Sequence, residues 1–89
     1  MAYFEQVDVA AAMPVEAAAA PEVLFELGMM YSTGRIVPMD FIAAHKFFNL
    51  AAAKGYPEAA RLRREVAEMM SETDIAEAQR AARAWMTMH

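Results

Sequence analysis

Few side chains in this chain could do chemistry, and their types narrow what that chemistry could be. Cysteine is absent, which removes thiolate nucleophiles, thiolate metal sites and disulfides together and is compatible with a reducing compartment. The internal histidine, His45, follows Asp40 and precedes Asn49 by one helical turn. A lone imidazole beside a carboxylate and an amide is a poor zinc site, because structural zinc takes four ligands. Asp40 also stands where a helix cap is needed, so His45 is expected to be a hydrogen-bonded or surface residue and no metal site is predicted. Ser32 and Ser71 are the two serines of the chain, and Ser71 has a capping role to fill. The carboxylates fall mainly on solvent-facing helix positions or at caps. Nothing pairs a nucleophile with a base or aims two carboxylates into a cleft. The chain is therefore expected not to be an enzyme and to need no cofactor.

Composition excludes further classes. The net charge is −4, and Glu5, Asp8, Glu16, Glu22 and Glu26 have no basic neighbour before Arg35. A domain without a Lys/Arg stripe lacks the counterion-releasing surface that supplies most nucleic-acid affinity, so no nucleic acid is expected as a partner. No run of about 18 apolar residues is present, which argues against a membrane span. The alanine-rich segment from Val9 to Ala20 has Glu5 and Asp8 where a secretory signal carries positive charge, and Pro14 and Glu16 interrupt it. The expected location is cytoplasmic.

The elements that must position these residues are read from periodicity and punctuation. Residues 1–20 are expected to form a loosely ordered, acidic and alanine-rich arm, with Tyr3 and Phe4 as an aromatic tip able to dock on this molecule or another. Residues 21–89 are expected to form one all-α domain of four helices. The first runs from Pro21, suited to a helix start, to Thr33, with Leu24, Leu27, Gly28 and Tyr31 as its stripe. Gly34 offers a left-handed cap, and Pro38 drives Val37 out of the helical region. Asp40 should cap the second helix, which runs to Lys54 with Ala44, Phe47, Phe48 and Ala51 inside and Lys46 and Lys54 outside. Gly55 follows as its terminator.

Pro57 to Met70 is the third predicted helix, with Ala59, Leu62, Val66 and Met69 facing inward. Its outer face carries the Arg61–Glu65 and Arg64–Glu68 pairs. Ser71-Glu72-Thr73-Asp74 resembles a capping box for a fourth helix, Glu72 to Met86, whose stripe is Ile75, Ala78, Ala82 and Trp85. Trp85 is expected to clamp this helix onto the third. No segment shows the period-2 alternation of a strand.

Leu27-Gly28, Tyr31, Gly34, Asp40, Ala44, Ala51-Ala52, Gly55 and Ala59 together resemble a Sel1-like repeat, a relative of the tetratricopeptide repeat. The pattern departs at Ile36, where a second loop glycine is usual, and at Leu62-Arg63, where a following repeat would carry Leu-Gly. The third and fourth helices are similar to a terminal cap on a single repeat. The resemblance implies a helical hairpin extended by two helices, a solenoid fragment or a compact four-helix array. It also implies a protein or peptide partner on the first-helix face, at Glu22, Phe25, Met29 and Ser32, acting as a non-catalytic interaction module or small adaptor. Phe25 and Met29 could instead be core. Solenoid repeats bury their faces only against neighbours, so either the four helices close on themselves or a second copy covers the apolar ridge. The alternative function is a structural subunit in which the ridge serves self-assembly alone. A homodimer is expected, and sedimentation velocity at micromolar concentration should show it; monomer alone across that range would refute it.

Overall fold

A computed structural model describes residues 19–88. Among them are four helices and no strand: α1 Pro21–Thr33, α2 Phe41–Ala53, α3 Ala59–Ala67 and α4 Glu72–Met88. The fold is all-α. Residues 1–18 of the expected aromatic-tipped arm lie outside the described residues.

Local chemistry explains most of the helix ends. Gly34 adopts φ 70°, a left-handed conformation that a Cβ would strain, and its N–H donates to Met30 O to close α1. The N–H of Asp40 then donates to Tyr31 O at 3.0 Å, pinning the connection. One carboxylate oxygen of Asp40 accepts from the Ala43 N–H at 3.1 Å, the N-cap bond that starts α2, a contact worth about 1 kcal/mol. Ser71 does the same for α4, its hydroxyl oxygen accepting from the Asp74 N–H at 3.0 Å. Only this half of the expected capping box forms.

The hairpin packs through the predicted stripes. Leu24 and Gly28 of α1 are buried, as are Ala44, Phe47, Phe48 and Ala51 of α2. Gly28 sits directly over Phe48, and a Cβ placed on it would lie 2.6 Å from two carbons of that ring. Tyr31 stacks on Phe47 with centroids 5.9 Å apart. Lys46, placed outside by periodicity, lies with Nζ 4.5 Å from the centre of the Phe47 ring, a favourable position for a cation.

The remaining helices are arranged around α2, which packs on α1, α3 and α4. Its His45 and Leu50 are therefore buried as well, although neither belongs to the predicted inner stripe. The expectation that Trp85 clamps the fourth helix onto the third is corrected. Ala78 and Ala82 give α4 a smooth buried face, α4 lies on α2, and Trp85 is half-buried against the cluster containing Leu24, Phe47, Leu50 and Ala82.

The third helix is shorter than the predicted span from Pro57 to Met70. Turn bonds bracket it, from Ala59 N–H to Tyr56 O before it and from Met69 N–H to Val66 O after it. Such three-residue bonds tighten a helix end and turn its last carbonyls. Met69 is carried out of the predicted stripe and is 61% exposed. On the outer face Arg61 pairs with Glu65 at 2.9 Å and lies 3.8 Å from Glu58; the predicted Arg64–Glu68 pair does not form.

The boundary of the N-terminal segment also moves. Ala19 was expected within the loose arm, yet it is 4% exposed and belongs to the core. Lys54, expected on the outside of the second helix, sends Nζ to donate to Ala19 O at 2.8 Å.

Gly28→Ala is the sharpest test of the hairpin. Alanine is the better helix former by about 1 kcal/mol, but overpacking a filled core costs about 1–3 kcal/mol. The clash with Phe48 should dominate, so urea unfolding is expected to show a net loss of stability with an unchanged m-value; a gain would mean that the ring moves aside freely.

Candidate functional site

The four residues singled out on the first helix recur at spacings of three, four and three, which places them on one stripe of α1. This stripe is not the one buried against α2. Glu22 is exposed, and Phe25, Met29 and Ser32 are each half-buried.

Phe25 is an aromatic bridge rather than a free anchor. Its ring stacks on Tyr56 with centroids 4.3 Å apart and an interplanar angle of 23°. It also tilts against Phe48 at 5.5 Å. Tyr56 lies in the α2–α3 connection, where its N–H donates to Ala51 O. Phe25 thus ties α1 to that connection. Met29 packs at the edge of the cluster formed by Ala44, Phe48 and Val66. The Ser32 hydroxyl donates to Met29 O at 3.1 Å, so its proton is committed to its own helix.

Around this stripe the surface is hollowed in three places. One groove between α1 and α3 is lined by Met29, Ser32, Phe48, Leu62, Val66 and Met69, with Glu65 at its edge. A second is lined by Phe25, Glu26, Met29, Met30 and Thr33 of α1 together with Arg35 and Ile36 of the loop. Each holds about 190 Å³. That is below the roughly 300–1,000 Å³ of ligand pockets but above the roughly 150 Å³ cavity that accepts benzene. Each groove therefore has room for one apolar side chain. A wider depression contains Glu22, Tyr56, Pro57 and Glu58.

Met29 lines both of the first two grooves, which therefore adjoin it on α1. Sequence reasoning found Phe25, Met29 and Ser32 but missed Met30, Ile36 and Met69 as groove walls. Ile36 did carry a signal, as an apolar residue where the repeat pattern has a loop glycine, and it is 73% exposed.

His45 is placed elsewhere and differently from expectation. It is neither a surface residue nor hydrogen-bonded at Nδ1: the residue is 3% exposed, and that nitrogen is buried with no partner. Desolvation lowers its pKa below 6.5, and the positive charge of Arg63 lowers it further. Arg63 is held by donating Nη1 to Asn49 Oδ1 at 2.8 Å. The residue that breaks the Leu-Gly repeat pattern thus anchors α3 to α2.

Among the described residues no group of three or more His, Asp or Glu side chains is placed to hold a metal ion. No described helix is long and apolar enough to cross a membrane. Against known proteins, the chain matches no family model, no curated protein and no solved structure.

The buried imidazole makes stability depend on pH in a defined direction. Its folded pKa lies below the unfolded value of 6.5, so the unfolded chain binds more protons in the window between the two values. The contribution is fully present above pH 6.5 and is lost as pH falls through the folded pKa. Stability measured from pH 7.5 downward, in wild type and in His45→Leu, should give a difference curve that falls across this window and then flattens. A flat difference throughout would show that His45 protonates without penalty.

Proposed function

We propose that the chain is a non-catalytic protein-interaction module of the Sel1-like type, a small cytoplasmic adaptor that takes an apolar segment of a partner protein along α1. The observation that carries this reading is the pair of grooves that adjoin Met29 on α1. Their linings include Met29, Met30 and Met69, and flexible thioethers adapt to partners of different shape. Helix-in-groove recognition needs such a surface, with pockets that each accept one anchor side chain. In a helical repeat the corresponding surface lies between successive first helices, and α3 with Leu62 and Val66 stands in the second position.

A second reading, a structural subunit that uses the ridge only for self-assembly, draws support from Ile36, Met39 and Met69, all exposed on this chain. Both readings dispense with catalysis.

Peptide display against the full chain separates them. Ile36→Asp and Met69→Asp are the appropriate variants, because these side chains project from the fold, whereas Phe25 is stacked into it. An adaptor should select peptides with spaced apolar anchors and lose affinity by about tenfold or more in either variant, with helicity and unfolding midpoint retained. A chain that selects no peptide, yet loses self-association in the same variants, is the subunit instead.

A further inference from the structure

The groove beside Phe25 and Met29 carries two opposite charges that the fold itself does not pair. Phe25, Met29, Met30 and Ile36 give it an apolar bed, and Glu26 and Arg35 line the same hollow. We propose that this groove takes a helix of a partner protein, antiparallel to α1, with a carboxylate, an apolar anchor and a cation in that chain order on one face. The carboxylate meets Arg35, the anchor fills the hollow and the cation meets Glu26. The proposal rests on the interaction-module reading above and adds the charge order and the direction of what is bound.

The charges select the occupant. Glu26 and Arg35 are both exposed, yet among the described residues neither forms an ion pair. Glu65 at the edge of the neighbouring groove and Glu58 in the wider depression differ, because each already has Arg61 beside it. Glu22 stands four residues before Glu26 on a helix with no lysine or arginine, a spacing at which like charges repel. An incoming cation relieves that repulsion.

Their placement sets the direction. Arg35 lies beyond the C-terminus of α1 and Glu26 in its first half, so an antiparallel helix presents its first turn to Arg35 and its last to Glu26. A carboxylate in the first turn and a cation in the last are the placements that a helix dipole favours. Antiparallel packing also sets the positive end of the partner's dipole beside the negative end of α1. A parallel helix would need the reverse charges, each opposed by its own dipole.

Spacing completes the pattern. From Glu26 to Thr33, the last residue of α1, the rise is about 10 Å, or about two turns. The three partner residues therefore fall at i, i+3 or i+4, and i+7, which share one helix face. The hollow between the charges holds about 190 Å³, room for the single anchor.

A displayed library of helical peptides about 18 residues long, enough for a helix to form alone, tests this on the full chain. Wild type should enrich peptides with acid, apolar anchor and base in that order and spacing. A selected peptide should bind about tenfold more tightly than the same peptide with its acid and base exchanged. The double variant Glu26→Arg, Arg35→Glu should reverse that preference with helicity retained. A nitroxide at the N-terminus of the selected peptide should broaden the amide signals of Arg35 and Ile36, and one at its C-terminus those of Glu22 and Glu26. This readout uses the wild-type chain and decides the direction even where the double variant fails to fold. Selected peptides without the charge order, a preference that the double variant leaves unchanged, or the opposite broadening pattern would overturn the proposal and leave the adaptor reading standing. Selection of no peptide would overturn both.

Discussion

The molecule depends on the close approach of α1 and α2 at Gly28. With no Cβ there, the backbone of α1 rests close against the ring of Phe48, which is 1% exposed. That ring in turn supports Phe25 from the side and packs with Val66 of α3. Phe25 can then lie against Tyr56, which ties the hairpin to the connection that follows it. The groove between α1 and α3 is a consequence: holding α1 close to α2 leaves it lined by Met29 on one side and by Leu62 and Met69 on the other.

Small residues repeat this solution elsewhere. Ala44, Ala51, Ala59, Ala78 and Ala82 are all buried, and they let α3 and α4 approach a central α2. The cost is a thin core, in which Phe48, Leu24 and Leu50 are the largest fully enclosed side chains among the described residues. A short chain cannot cover all its apolar surface, and what it leaves uncovered includes Ile36, Met39 and Met69. The exposed apolar surface and the scarcity of core therefore share one cause.

The central position of α2 also explains His45. Enclosure on three sides by other helices leaves an imidazole in the interior, where an unpartnered nitrogen costs free energy and the charged form is penalised by desolvation and by Arg63. The nearby polar groups are better matched, since Asn49 and Arg63 satisfy one another across α2 and α3.

What the sequence determined by itself is what operates within about one helical turn. Asp40, Gly34 and Ser71 mark helix ends because caps bond to backbone groups three or four residues away, and all three do so here. The stripes Leu24–Gly28–Tyr31 and Ala44–Phe47–Phe48–Ala51 were legible for the same reason, as was the stripe holding Glu22, Phe25, Met29 and Ser32. Tertiary structure alone decided which neighbour covers each face. The Ala19–Lys54 and Asn49–Arg63 bonds join residues 35 and 14 positions apart, distances over which periodicity carries no information. The seat of Trp85 against the cluster of Leu24, Phe47 and Leu50, the burial of His45 and the outward swing of Met69 follow from how the helices pack and from the turn between α3 and α4. A stripe shows that a face is apolar; only packing in three dimensions decides whether another helix fills it or a groove is left open.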